Sequence, residues 1–397
     1  MNIMSAEQDI VIVGAARTPF GKFLGALSTL PATELGAIAI RGALEKSQVS
    51  GDQVDAVIMG EVLQAGVGQN PAKQAALSAG ISPRAHTTTV NKVCLSGLSA
   101  IIDAARLLRS REAEVVIAGG MESMSLSPHL LPRSRQGQKY GSWEAIDHLA
   151  HDGLRAADLD ISMGELSERH AERYPVTRAE QDHCAALSHQ RAEAATQDGI
   201  FEDEIIPVSV KHRKNTVCVN QDEGIRSGVT EESLASLSPA FVKDGSITAG
   251  NASPISDGAA AVVLCRREYA ETHNLDILAT LRAVGQVAGP DSSLQAQPAH
   301  ALQAALSRQQ WEAKDLDLIE INEAFGAVVV HSAHELGVDP DLINACGGAI
   351  ALGHPIGASG ARLVVHAAHQ IKANKARRAG VALCGGGGQG EALLLEN

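Results

Sequence analysis

An α/β fold written twice, with a long segment inserted between the copies, is what this 397-residue sequence predicts. Two observations carry that reading. First, three features recur at a spacing of roughly 265 positions, which chance rarely produces. Residues 54–62 (VDAVIMGEV) are echoed by residues 316–324 (LDLIEINEA), each a buried-strand pattern ending in a turn with a glutamate. Gly97 opens the helix pattern 98–108, and Gly360 opens the pattern 361–371. Residues 114–120 (EVVIAGG) are echoed by residues 380–386 (GVALCGG). Second, strands alternate with amphipathic helices, which predicts parallel sheets in each copy.

The expected division is residues 1–122 with 247–272 as one half, 123–246 as the insertion, and 273–397 as the other half. The insertion is richer in charge, His and Arg. It holds a helix predicted over 178–198, with Thr177 and Glu180 at the spacing of a capping box and Gly199 at its end. Such an insertion suits a lid or a partner surface. A duplication brings its two equivalent helix entrances to a shared pseudo-twofold axis. Cys94 lies just before the first entrance and His354 just before the second, so the two are expected to meet.

Composition narrows the function. Hydrophobic residues make up 45% of the chain and aromatics only 3%, with 38 glycines, so aliphatic side chains and alanine must fill the core. The formal net charge of −13 disfavours a nucleic-acid partner. Lys211, His212, Arg213 and Lys214, and the basic stretch 372–378, are expected to be solvated faces. No uncharged apolar run reaches the roughly 18 residues of a membrane span. The first nine residues lack a basic-then-apolar leader and are poor in arginine, and Leu395, Glu396 and Asn397 are not a peroxisomal address, so a cytoplasmic protein is expected. Six cysteines without a Cys-x-x-Cys pair suggest neither a disulfide framework nor zinc. Neither a metal nor a resident cofactor is expected, and Met121 and Met124 give no cofactor signal.

Chemistry concentrates in a few places. Cys94 precedes an apolar helix start, where the helix dipole favours a nucleophilic thiolate, although a small core cysteine fits the position equally well. Cys384 enters four glycines that leave backbone N–H groups open to a ligand. That loop is no Walker loop, because no Lys-Ser or Lys-Thr follows it. It is no dinucleotide fingerprint either, because too little chain remains for the helix and acidic residue that motif needs. His354 sits between Gly353 and Pro355 among further glycines, a rigid placement that suits a general base. Asn322, at the end of a buried strand, can orient a water or donate to an oxyanion, and a turn cap is the competing role. Cys184, Cys218, Cys265 and Cys346 read as structural.

Taken in order, Asn91-x-x-Cys94-x-Ser96-Gly97, Asn322-Glu323-Ala324-Phe325, Gly353-His354-Pro355-x-Gly357 and Cys384-x-Gly386-Gly387-Gly388 resemble the thiolase family. The resemblance starts at Val13-Gly14-Ala15-Ala16-Arg17-Thr18-Pro19 and runs to the C-terminus. It implies a five-layered αβαβα fold of two similar halves plus an inserted loop domain. It also implies the reversible Claisen condensation of two acetyl-CoA molecules to acetoacetyl-CoA and CoA, through an acetyl-cysteine. By that resemblance Cys94 is the acylated nucleophile, His354 the base that activates it, and Cys384 the acid/base at the α-carbon of the second acyl-CoA. Asn322, through a water and with His354, would form one oxyanion hole, and the N–H groups of Cys94 and Gly386 the other. Losing one such donor typically costs about 3 kcal/mol. Arg226 matches a position near the nucleotide, and Leu154, Met163, Phe241, Ser253 and Phe325 match positions lining the pantetheine and acyl channel. Lys92-Val93 before Cys94 is similar to the acetoacetyl-CoA branch, whereas Ser162-Met163-Gly164 and Leu294 depart from it. A broader 3-ketoacyl-CoA thiolase of fatty-acid β-oxidation is therefore the alternative. A ketosynthase lacks the second cysteine, and a non-catalytic lipid carrier would not need Cys94. The family forms homodimers or homotetramers, and no nucleic acid or membrane partner is implied.

Overall fold

The computed structural model describes residues 9–212 and 215–397. Residues 1–8 and the basic pair Arg213 and Lys214 lie outside the described residues.

The main elements run β1 (Ile10–Arg17), α1 (Ala32–Ser47), β2 (Ala56–Gly60), α2 (Pro71–Ser78), β3 (His86–Val90), α3 (Ser96–Arg109) and β4 (Val115–Ser123). The insertion contributes α4 (Arg178–Gln197) and the hairpin β5 (Val208–His212) and β6 (Asn215–Val219). The chain then continues through β7 (Ser256–Arg266), β8 (Ala279–Ala288), α5 (Gln297–Gln309), β9 (Leu318–Ile321), α6 (Gly326–Leu336), α7 (Ala349–Leu352), α8 (Ser359–Lys372), β10 (Arg378–Gly385) and β11 (Gln389–Glu396). All three sequence echoes become matched elements: β2 with β9, α3 with α8, and β4 with β10. The insertion helix carries its capping box, with Thr177 N donating to Glu180 Oε2 at 2.7 Å and Glu180 N donating to Thr177 Oγ1 at 3.2 Å.

The strands form one path in the order β9-β10-β11-β8-β1-β7-β4-β2-β3. Here the expectation of parallel sheets is corrected. Among the strands of the described residues, only the β2–β3, β2–β4 and β9–β10 pairs are parallel. The β1–β7, β7–β4, β8–β11 and β10–β11 pairs are antiparallel. The reason is connectivity. β7 enters from the insertion rather than from a crossover helix, and β10 and β11 are joined by a tight turn in which Gly387 and Gly388 take φ of +80° and +66°. A hairpin can only be antiparallel, whereas a parallel pair needs a crossover. The two halves of the path join where Ile10, Val11 and Ile12 pair with Leu281, Thr280 and Ala279.

Burial sorts the elements into five layers. One apolar cluster unites the inner sides of both halves with α3 and α8, through Leu98, Ile101, Ile102, Leu363, Val364 and Ile371. A second packs α1 and α2 on the outside of the first half, and a third packs α5 and α6 on the outside of the second. Alanine and aliphatic residues dominate these clusters, as the composition requires.

The central helices touch at their first turns. A β-carbon on Gly97 would lie 2.9 Å from Ala361 N and from Gly357 O, and one on Gly360 would lie 2.7 Å from Leu98 N. Only glycine permits this approach, which is why each helix opens on one. Helix α8 is also unusual for a buried helix, because Ser359, Arg362 and His366 form a polar stripe along it, each with a buried partner.

Candidate active site

The approach of Gly97 to Gly357 and Ala361, and of Gly360 to Leu98, puts the loop before α3 beside the loop before α8. Cys94 belongs to a loop held by short bonds: Lys92 N donates to Ser96 Oγ at 2.8 Å, Ser96 Oγ donates to Val93 O at 2.6 Å, and Val93 N donates to Asn91 Oδ1 at 3.1 Å. Val93 takes φ of +51°. A β-branched residue is costly there, by about 1–3 kcal/mol, and such strain concentrates at functional sites. The expected cost is met by the loop bonds and by Leu95, which is fully buried beneath the turn.

His354 is 7% exposed. Its backbone N–H donates to Ser256 Oγ at 3.1 Å, and its Nδ1 lies 2.5 Å from Ser359 Oγ. Ser359 spends its own proton on Pro355 O at 3.0 Å, so Ser359 Oγ accepts from Nδ1–H. The Nε2 lone pair is left to act as the base. Burial, and then the positive charge of Arg362, push the imidazole pKa down to about 4. The ring is therefore neutral and able to take a proton at physiological pH.

The thiolate expected at Cys94 from the helix dipole does not rest there. Burial pushes the Cys94 thiol up to about 11, against the pull of the backbone N–H groups of Cys94 and Gly386. Burial opposes charge on both partners, so the resting pair is thiol and neutral imidazole. The two N–H groups, one from each half of the chain, are positioned to stabilise negative charge as it forms. Cys384 is 1% exposed, among Leu294, Ala324 and Phe325, and burial followed by the neighbouring Cys94 drives its thiol far above the ordinary range.

Cys94, His354, Cys384 and Gly386 line one cavity of about 590 Å³, together with Leu154, Met163, Phe241, Ser253 and Phe325. Its size suits a small-molecule site, and its wall is mostly apolar. Phe241 and Phe325 meet edge to face with centroids 6.1 Å apart. Arg226 lies in an adjoining cavity of about 450 Å³, which shares Ala249, Ala252, Pro254 and Ile255 with the first and adds Lys22. Arg226 Nη2 lies 3.1 Å from Nε2 of His189, whose pKa is pushed down to about 4 by burial, then by Arg226 and Lys22. Among the described residues Arg226 has no acidic partner, so its charge is available to an anion. Asn322 is not brought to the cavity wall. It is 1% exposed at the end of β9, and neither side-chain oxygen nor nitrogen has a protein partner among the described residues. A buried carboxamide demands partners, which fits action through an intervening water.

No sequence motif points to Ser256, Ser359 or Glu122, or to the backbone strain at Val93. A serine in the first turn of the helix after His354 was a usable signal for Ser359. Glu122 is fully buried and accepts from Val62 N at 3.1 Å, Leu63 N at 3.0 Å and Gly357 N at 2.8 Å, tying the end of β2 to the histidine loop. Burial pushes its pKa up to about 7 while those N–H groups pull it down. Among the described residues Glu61 beside it has no such donors, and burial plus the Glu122 charge push it up to about 9, so it holds a proton. Glu122→Gln keeps the shape but weakens this tie. It is expected to lower kcat roughly tenfold to a hundredfold with little change in KM, because misplacing a catalytic group by about 1 Å costs up to about a hundredfold. Steady-state kinetics check this, and an unchanged kcat would overturn it.

The buried rings also make a pH-dependent contribution to stability. His354 and His189 have folded pKa values of about 4, below the ordinary 6.5. At these rings the unfolded chain binds more protons between those values, so their contribution falls as pH drops through that window, while the raised carboxyls of Glu61 and Glu122 act with the opposite sign. The His189 share is read by difference: the melting-midpoint advantage of the unaltered protein over His189→Asn should shrink from pH 7 to pH 4.5, and a constant difference would contradict the assignment.

Comparison with known proteins agrees with this architecture. Residues 10–268 match the thiolase N-terminal domain and residues 275–397 the thiolase C-terminal domain. The chain is 54% identical over 386 residues to a probable acetyl-CoA acetyltransferase of Mycolicibacterium smegmatis, covering 97% of this chain and 100% of that protein. It is 46% identical over 390 residues to the acetyl-CoA acetyltransferase of Cupriavidus necator, covering 98% and 99%. The crystal structure of the Bacillus anthracis acetyl-CoA acetyltransferase superposes with a TM-score of 0.95 at 39% identity, covering 98% of each chain. With two matched halves, two cysteines and a histidine on one cavity, and family matches across nearly its whole length, the chain belongs to the thiolase family.

Proposed function

We propose that this protein is an acetyl-CoA C-acetyltransferase, joining two acetyl-CoA molecules into acetoacetyl-CoA and CoA, or running the reverse thiolysis. The observation that carries the reading is the single cavity bounded by Cys94, His354 and Cys384 with an apolar throat. His354 Nε2 takes the proton of Cys94, and the sulfur attacks the thioester carbonyl of acetyl-CoA. The developing oxyanion is met by His354 and by Asn322 through a water. The departing CoA takes the proton of Cys384, which becomes the thiolate, and the acetyl group remains on Cys94. The second acetyl-CoA then loses an α-proton to Cys384, its enolate oxygen being stabilised before its carbon attacks the acetyl-cysteine. The N–H groups of Cys94 and Gly386 hold the oxyanion on the acetyl-cysteine as the carbon–carbon bond forms, and its collapse expels Cys94, which recovers its proton from His354.

Two thiols are needed because the two steps want different groups. Acyl transfer needs a nucleophile, and Claisen condensation needs a base at a weakly acidic C–H. The pantetheine arm would lie along Leu154, Met163, Phe241, Ser253 and Phe325, with the nucleotide phosphates toward Arg226. We read residues 123–246 as a loop domain, the protein as a cytoplasmic homodimer or homotetramer, and its substrates as coenzyme A thioesters without a resident cofactor. Among the described residues no helix is long and apolar enough to cross a membrane. Thiolysis of acetoacetyl-CoA compared with a medium-chain 3-ketoacyl-CoA tests the substrate. A higher kcat/KM for acetoacetyl-CoA is expected, and faster turnover of the longer chain would overturn the assignment.

A further inference from the structure

Away from the cavity, a second thiol has a histidine and a carboxylate arranged behind it. Cys346 is half-buried and packs with Ile200 and Ile225 against Phe201, Ala351 and Leu352. His366, on the polar stripe of α8, is 1% exposed. Its Nδ1 meets Glu204 Oε2 at 2.9 Å. Its Nε2 has no hydrogen-bond partner among the described residues, and its ring lies 5.8 Å from that of Phe201, in the same cluster that Cys346 packs against. Glu204 is fully buried and held on its other oxygen by Arg17 Nε at 2.6 Å, while Arg17 grips Asp222 at 2.7 and 2.9 Å. Burial alone would strip the ring of its proton, but Glu204, with Cys346 and the more distant Glu320, outweighs it and pushes the pKa up to about 10. The ring is thus an imidazolium with Nδ1–H spent on Glu204 and Nε2–H left over.

A buried charged N–H without an acceptor is expensive, and the chemistry at Cys94 does not use this one, since neither His366 nor Cys346 lines that cavity. None of the other three non-catalytic cysteines is joined to such a group in the described residues. Cys265 is buried in the outer core, Cys184 lies in α4, and Cys218 is exposed on the β5–β6 hairpin.

We propose that Cys346, with His366 and Glu204, is a site of reversible oxidation by hydroperoxides, distinct from the catalytic thiols. The sulfur attacks one peroxide oxygen and the O–O bond breaks. The departing hydroxide, or alkoxide from an organic hydroperoxide, takes the Nε2 proton and leaves as water or alcohol, and the thiol's own proton returns to the ring. The sulfur is oxidised to a sulfenic acid, and the hydroperoxide is reduced. A small thiol then condenses with the sulfenic acid to a mixed disulfide and water, and a second thiol releases Cys346. The added oxygen enters the cluster containing Ala351 and Leu352 of α7, the helix that leads directly into His354. Oxidation at this position therefore reaches the catalytic base through packing.

The test treats the full-length protein with limiting hydrogen peroxide and a dimedone-type probe, followed by peptide-resolved mass spectrometry. Cys346 is expected to be labelled about fivefold or more above the more exposed Cys218, because local protonation chemistry rather than exposure governs reactivity. Labelling of Cys346 at or below the Cys218 level overturns the proposal. His366→Asn, with its fold checked by circular dichroism, should bring Cys346 down to the Cys218 level, and undiminished labelling in the folded variant also overturns it. Should that variant fail to fold, the ratio in the unaltered protein decides.

Discussion

Cys94→Ala is expected to abolish acyl transfer, lowering kcat by at least about 10⁴-fold, as removal of an enzymatic nucleophile generally does. No neighbour can substitute. Cys384 shares the cavity, but its apolar surroundings hold its thiol protonated far more firmly, and it has no imidazole counterpart to Ser359-oriented His354. The decisive measurement is intact-protein and peptide mass spectrometry after incubation with acetyl-CoA. The unaltered protein should carry an acetyl adduct on Cys94 that disappears on adding free CoA, and the variant should carry none. Retained activity in Cys94→Ala, or an adduct confined to another residue, would defeat the mechanism.

Cys384→Ala should divide the reaction in two. Acetylation of Cys94 uses Cys384 only to protonate the departing CoA, which solvent can also do, so the adduct should still form. Condensation needs a base at the second acetyl-CoA, and its loss should cost about 10³-fold, within the usual range for a positioned acid/base. Exchange of the acetyl-CoA methyl protons with deuterated water reads the missing step directly. It should be detectable with the unaltered protein and lost in the variant. If Cys384→Ala also failed to form the adduct while remaining folded, the two thiols would not have the separate tasks assigned to them.

Much of this was readable before any coordinates. The echo of residues 54–62 in 316–324, and of Gly97 in Gly360, became paired elements whose helix entrances touch. That contact explains why residues as distant as Cys94 and His354 share a cavity. What escaped the sequence depended on direction and environment. A strand pattern does not record whether its neighbour runs with it or against it, so β7 and β11 turned an expected parallel arrangement into a mixed one. A helix start after Cys94 suggested a resting thiolate, but the depth of the site reverses that preference. Asn322 was placed on the right strand end, yet its side chain stands back from the cavity wall, and Arg226 belongs to the adjoining cavity. Val93 entered the sequence reading only through Lys92-Val93, and its positive φ escaped because backbone strain leaves no mark on composition.

The meeting of the helix turns at Gly97 and Gly360 gives the enzyme a ruler with no adjustable part. Nucleophile and base are spaced by main chain against main chain rather than by side chains that loosen gradually on warming. Catalytic competence should therefore survive mild heating intact and vanish together with the cooperative melt, instead of fading degree by degree ahead of it.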